Sequence, residues 1–279
     1  MTLDEAYHEA LKKLKNPRID EINVRILLCD INDLPDMTSF YIYKSDEVKD
    51  LRRFHELFDK FLKGEPIQYL LKKTNFYGYD FYVDHRVLIP RMESEEVISY
   101  AINQISDIFP NKKISIVDVC CGSGCLGITL ARCFNAEKLY LSDISKDAID
   151  VAKINLERNG IHGNLFIGNA LDKIVENKIK CDVLIANPPY ILKREEVDES
   201  AAKHEPHIAL FANKKLSVYE NIFKNIKHIA NKPFLAVFEI GYDTRVILEK
   251  LIKKYFPKAH YEFLKDINGN FRIASIYLK

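Results

Sequence analysis

The sequence predicts an α/β protein: a doubly wound, mostly parallel, seven-stranded sheet preceded by a small helical domain. Three observations carry this. From residue 112 onward, short apolar runs rich in β-branched residues alternate with helix-period segments. The first of those runs leads into a glycine-rich turn that opens a helix. Residues 1–73, by contrast, carry only helix-period patterning. The expected division is 1–73 as a helical domain, 74–93 as a hairpin linker and 94–279 as the sheet domain.

Taken in order, residues 2–15 read as an amphipathic helix. Thr2 and Glu5 fit a capping box, and Leu3, Tyr7, Leu11 and Leu14 share a face. Asn16-Pro17 is expected to end it. Asp20 is expected to cap a second helix carrying Ile22, Ile26 and Leu27, with 31–35 a turn. Ser45 is expected to cap a longer helix with Val48, Leu51, Phe54, Phe58 and Phe61 on one side, stopped by Gly64 and Pro66. The aromatic run 76–83 around Gly78 fits a β-hairpin. A helix capped by Ser94 and carrying Val97, Ile98, Ala101 and Ile105 follows. Strands are then expected at 114–119, 138–142, 164–168, 182–186, 233–240, 259–265 and 271–278. The helices between them fall at 124–134, 145–159, 214–230 and 243–256.

Composition narrows the function classes. The chain has 279 residues, 47% apolar and 29% charged, which is an ordinary globular balance. The formal net charge is +1, and it divides evenly. Residues 1–73 hold 13 Lys+Arg and 14 Asp+Glu, and the remainder holds 28 and 26. No broad basic field recruits nucleic acid. The start MTLDEAYHEA is acidic and polar, and no apolar run approaches a membrane span, so a cytoplasmic protein is expected. The six cysteines form no C-x-x-C pair and are expected to be reduced and buried. His204-Glu205-Pro206-His207 holds potential metal ligands, but Pro206 interrupts the helix that would align them, and no metal is expected. The chain is expected to act as a monomer.

The strand 114–119 runs into Cys120-Cys121-Gly122-Ser123-Gly124-Cys125-Leu126-Gly127. Glycines there let backbone approach a ligand at a helix N-terminus. The next strand ends in Asp143, placed to accept ribose hydroxyls. Gly122, Gly124 and Gly127 satisfy G-x-G-x-x-G, the dinucleotide pattern. A pyrophosphate is anionic and uses the helix N-terminus. A sulfonium is cationic and wants acids and carbonyls. Asp118, just ahead of the loop, favours the second.

Asn187-Pro188-Pro189-Tyr190 decides between them. It follows the apolar run 183–186, and two prolines cannot extend a strand. The chain leaves the sheet stiffly, with Asn187 held extended at the carboxyl end, where open α/β sheets bind ligands. The Asn187 side-chain oxygen and the Pro188 carbonyl can each take one N–H of a planar NH2 group, and Tyr190 can stack on it. The stretch resembles motif IV of the amino-methyltransferases, which use S-adenosylmethionine, and a nicotinamide enzyme has no use for such a clamp.

With the whole chain in view the resemblance narrows to the protein-(glutamine-N5) methyltransferases of peptide-chain release factors. It covers essentially all 279 residues. It rests on 64–69, 87–95, the 118–124 loop, 143–145, 187–190, Glu205-Pro206, 238–242 and 266–272, in order and spacing. It implies the class I S-adenosylmethionine-dependent methyltransferase fold. Cys120, Cys121, Gly122, Ser123 and Gly124 would line the methionine part of the cofactor, with Asp118 before them. Asp143 would hold the ribose, and Asn169 and Ala170 would flank adenine. Asn187 would touch both cofactor and substrate, and Asn187, Pro188, Pro189 and Tyr190 would bind the glutamine of a Gly-Gly-Gln tripeptide. The helical domain would grip the factor, with no direct nucleic-acid partner and no membrane. Cys120 and Cys121 stand where Gly and Thr are common, Met92 where Pro is usual, and Asn169 where an acid is frequent. The stretch 211–215 replaces a glycine-rich turn. Two other readings are an adenine N6-type nucleobase methyltransferase and a non-enzymatic docking module.

Overall fold

The structure, a computed structural model, describes residues 1–193, 199–212 and 216–279. The chain divides into two compact units, Met1–Lys72 and Lys73–Lys279.

The first unit holds α1 (Leu3–Leu11), α2 (Pro17–Ile31), α3 (Met37–Tyr43), α4 (Leu51–Leu62) and α5 (Ile67–Leu71). The Thr2–Glu5 capping box is formed from both sides. Leu3, Leu27, Leu28, Phe40, Phe54 and Phe58 are buried together in one apolar cluster. Burying side chains of this size contributes roughly 1.5–3 kcal/mol each. Three local expectations are corrected. Pro17 begins α2 rather than closing α1, because at the first helical position its missing N–H costs nothing, and Asp20 lies within the first turn. Asp50, not Ser45, caps α4, its carboxylate accepting from the Arg53 N–H at 2.8 Å. Helix α3 was not expected: Tyr41, Ile42 and Tyr43 are exposed, so it carries no apolar stripe.

The second unit opens with β1 (Thr74–Phe76) and β2 (Tyr79–Phe81), an antiparallel pair. Tyr77 and Gly78 join them with φ of 52° and 78°, the two-residue turn that suits strand twist. This hairpin is not a separate linker. Phe76 and Phe81 are buried in the same cluster as Val97, Ile98, Ala101 and Ile105 of α6 (Glu93–Ile108).

Strands and helices then alternate as β3 (Ser115–Val119), α7 (Cys125–Phe134), β4 (Lys138–Asp143), α8 (Lys146–Asn159), β5 (Asn164–Ile167), α9 (Asp172–Glu176) and β6 (Cys181–Ala186). After α10 (Glu199–His204) and α11 (His207–Leu210) come α12 (Ser217–Ile229), β7 (Ala230–Glu239), α13 (Arg245–Tyr255), β8 (His260–Lys265) and β9 (Phe271–Leu278). The expected start of α12 at 214 lies outside the described residues. Strand β7 begins before the expected Pro233, and its pairing with β6 shifts register between Cys181 and Val183. Pro233 lies in the unpaired stretch that the shift opens, where its lack of an N–H is harmless.

The seven strands order as β5-β4-β3-β6-β7-β9-β8. All pair in parallel except β9, which runs antiparallel to both neighbours. Strands β3 and β6 are buried on both faces, which is why they read as unbroken apolar runs. The chain winds one way from β3 and the other way from β6. The crevice between their carboxyl ends is therefore the topological switch point, where such sheets take ligands. No helix among the described residues is long and apolar enough to cross a membrane.

Candidate active site

A cavity opens at that switch point, and the β3–α7 loop forms part of its lining. Cys120, Gly122 and Gly124 all have positive φ, at 58°, 53° and 79°, so the chain reverses sharply at alternate residues. The Cys121 N–H donates to the Ser142 carbonyl of β4 (3.1 Å), and within the loop the Gly124 N–H donates to the Cys121 carbonyl (2.7 Å). At Gly124 a Cβ would stand 2.9 Å from Leu141 Cδ2 and 3.0 Å from Ile128 Cδ1, so only glycine lets helix and strand approach this closely. At Gly122 a Cβ would meet nothing within 4 Å, and that residue lines the cavity.

Asp143, at the end of β4, also lines the cavity. Its Oδ2 accepts from the Gly122 N–H and its Oδ1 from the Ser145 N–H, each at 2.9 Å. Burial raises its carboxyl pKa, and those backbone N–H groups oppose the rise. Asp118 is placed differently. It is fully buried, does not line the cavity, and accepts the Gly127 N–H at Oδ2 (2.8 Å), while Oδ1 has no partner. Burial pushes its carboxyl up to about 8, so it stands beneath the loop as a neutral buttress of α7 near pH 7. Cys120, Cys121 and Cys125 line the cavity as protonated thiols, burial raising each, Cys125 to about 12.

Of the four residues after β6, Asn187 and Pro189 line the same cavity as Gly122, Asp143, Asn169 and Ala170. Pro188 and Tyr190 do not. Pro188 is buried, and its carbonyl is not free: the Tyr219 hydroxyl lies 3.3 Å away. That hydroxyl has one proton and gives it at 2.7 Å to the Glu239 carbonyl, which leaves Pro188 with accepting capacity. The Tyr190 ring packs against Gly241, where a Cβ would stand 2.9 Å from its Cδ2. Its hydroxyl donates to Glu239 Oε1 (3.1 Å) and accepts from Arg272 Nη1 (3.3 Å).

Several side chains that build the site were given no site role from the sequence. Glu239 at the end of β7 is buried and takes the Ser94 hydroxyl at its other oxygen, so Ser94 is not a helix cap. Glu205 is buried; it accepts from Ile89 N–H (3.2 Å) and pairs with Arg91, joining two segments that line the cavity. No cluster of three or more His, Cys, Asp or Glu among the described residues has metal-binding placement. Asn155 of α8 donates to the Tyr82 and Ser123 carbonyls, both at 2.9 Å, and accepts the Tyr82 N–H, tying the hairpin to the β3–α7 loop.

Comparison with known proteins fits this arrangement. A family model described as a methyltransferase small domain matches residues 94–237. The chain is 35% identical over 279 residues to the release factor glutamine methyltransferase of Staphylococcus aureus (strain NCTC 8325 / PS 47), covering 98% of this chain and 96% of that protein. It is 38% identical over 241 residues to the release factor glutamine methyltransferase of Mycoplasma mycoides subsp. mycoides SC, covering 85% and 81%. Among solved structures, the T. thermophilus 16S rRNA N2 G1207 methyltransferase RsmC superposes with a TM-score of 0.54 at 11% identity, over 74% of this chain and 50% of that one. The hMettl16 catalytic domain superposes with a TM-score of 0.53 at 15% identity, over 72% and 76%. The structural likenesses establish the class I methyltransferase fold and the sequence matches establish the lineage, so this chain belongs to the release factor glutamine methyltransferase family.

Proposed function

We propose that the protein transfers a methyl group from S-adenosylmethionine to the side-chain amide nitrogen of the glutamine in the Gly-Gly-Gln tripeptide of peptide-chain release factors. The observation that carries this is that Asn187 lines the same cavity as Gly122 and Asp143. The residues fit the cofactor. The open face at Gly122 leaves bare backbone for the methionine part, the Asp143 carboxylate suits ribose hydroxyls, and Ile144, Asn169 and Ala170 offer a mixed apolar and amide surface for adenine. When bound, the cofactor supplies an electrophilic methyl on a cationic sulfur.

Everything else falls to this chain. An amide nitrogen is a poor nucleophile because its lone pair is delocalised. In this reading Asn187 Oδ1 takes one N–H from the cavity wall and the Pro188 carbonyl, which lies behind the lining with accepting capacity left, takes the other, which holds the nitrogen still and points its lone pair at the methyl. Orientation of this kind lowers a barrier by up to about 7–11 kcal/mol. The methylated nitrogen is strongly acidic and loses its proton to water, so no side-chain base is required. The three cavity thiols stay protonated, which keeps thiolates from competing for the methyl. Glutamine is neutral, in keeping with the even charge balance.

The test is labelling with methyl-radiolabelled cofactor, a release factor and a DNA duplex offered in parallel. Label is expected on the factor, absent when its tripeptide glutamine is replaced. Asn187→Ala is expected to lower kcat by about 100-fold or more. Label on the duplex and none on the factor would overturn the proposal in favour of nucleobase methylation.

A further inference from the structure

Glu239 joins four elements behind the substrate clamp. Its carboxylate takes the Tyr190 hydroxyl at Oε1 and the Ser94 hydroxyl of α6 at Oε2. Its main-chain carbonyl takes the Tyr219 hydroxyl of α12, which also sits 3.3 Å from the Pro188 carbonyl. Arg272 of β9 stands 3.9 Å from Oε1, donates to the Tyr190 hydroxyl and pairs with Asp266 at 3.2 Å. Glu239 itself is only 1% exposed and does not line the cavity.

A buried carboxylate is an expensive way to fill space, and apolar residues do that better. What it does here that an apolar residue cannot is accept two hydroxyl donors at once and so fix their directions. The Tyr190 hydroxyl is held between an acceptor on one side and a donor on the other, which leaves the ring one orientation against Gly241. The prolines at 188 and 189 make the turn stiff, so fixing Tyr190 at its far end sets where the Asn187 amide stands.

We propose that Glu239 is a positioning residue for the methyl-transfer step, its carboxylate acting through the Tyr190 hydroxyl to hold the 187–190 turn in its productive geometry. This rests on the reading of that turn as the amide clamp. Neither substrate nor cofactor touches Glu239; its contribution is confined to alignment in the transition state.

The experiment compares Glu239→Gln, Tyr190→Phe and the double variant in the full-length protein. Gln keeps the shape and one acceptor but not the second. Each single variant is expected to lower kcat about 10- to 100-fold, with the release-factor KM and the calorimetric affinity for S-adenosylmethionine within about 2-fold of the parent. The double variant is expected to lose no more than the worse single, because both break one linkage. In parallel, the Asn187 side-chain amide cross-peak, assigned by its loss in Asn187→Ala, is expected to move in Glu239→Gln and stay put in the remote Glu249→Gln. Unchanged kcat, multiplicative losses, or a fall in cofactor affinity that tracks the fall in activity would each overturn the proposal. If the parent protein does not label a release factor, the reading of the substrate fails, and the Asn187 cross-peak alone then decides the role of Glu239: movement supports it, and no movement overturns it.

Discussion

Cys120 shows what a single residue bears in this loop. Its φ of 58° lies in the left-handed region, where a side chain costs about 1–2 kcal/mol that glycine does not incur. In an ordinary helix interior glycine is less stable than alanine by roughly 0.5–1 kcal/mol. At position 120 the order is expected to invert, with Cys120→Gly more stable than Cys120→Ala by about 1 kcal/mol in chemical denaturation. Comparing the two variants cancels the lost thiol; alanine equal or better would refute the strain. Asp118 gives a second prediction. Its carboxyl is raised to about 8 by burial, with the Gly127 N–H pulling the other way and Asp143 adding to the rise. A carboxyl raised on folding contributes stability fully below the unfolded value of about 3.9, and that contribution is lost as pH climbs toward 8. Asp118→Asn, measured without cofactor, is therefore expected to gain on the parent in Tm between pH 5 and 8 and to level off above. The gain is at most about 1.4 kcal/mol per pH unit. Parallel Tm–pH curves would remove the assignment. At this scale the legible residues were those whose partners are close in sequence or whose backbone demands are severe, such as Asn187 and Gly124. Glu239 and Ser94 are 145 residues apart, Glu205 and Ile89 are 116 apart, and Asn155 and Tyr82 are 73 apart. No local pattern announces a pair that only the fold brings together.

Elements were legible where burial imposes a period. The sheet strands and α7, α8, α12 and α13 were expected within a few residues of where they stand, because each buries a face or both faces on the sheet. The failures are short or exposed elements and the exact caps. Helix α3 is seven residues long with four exposed large side chains, so the one signal available was Asp36, whose carboxylate caps it through the Ser39 N–H at 2.8 Å. Ser45 and Asp50 both precede the same apolar stripe, and either could cap a helix carrying it. The structure chooses Asp50, and the choice is measurable. Asp50→Ala is expected to cost the protein about 1 kcal/mol, whereas Ser45→Ala is expected to change stability by less than about 0.5 kcal/mol. A larger loss at Ser45 than at Asp50 in urea titrations would place the helix start earlier than Leu51.

At the scale of the molecule, the two units differ in what holds them. The apolar cluster of the first runs from Leu3 to Ile67, and the clusters of the second draw only on residues from Phe76 onward. Each unit thus has a core of its own, which is the condition for folding independently. All of the residues lining the cavity belong to the second unit, from Arg86 to Val218. If the first unit serves as the grip on the release factor, the two functions separate cleanly. A chain of residues 73–279 is expected to fold and to bind S-adenosylmethionine within about 2-fold of the full-length affinity, while its KM for a release factor rises at least about 10-fold. Its kcat at saturating factor should be nearly unchanged, because the clamp, Glu239 and the β3–α7 loop are all retained. The division of labour also predicts a chemical difference between substrates. A short peptide containing Gly-Gly-Gln lacks the rest of the factor, so the truncated and full-length chains should methylate it at equal rates. A truncated chain that keeps the full-length KM for the whole factor would assign recognition to the second unit and leave the helical unit without that role.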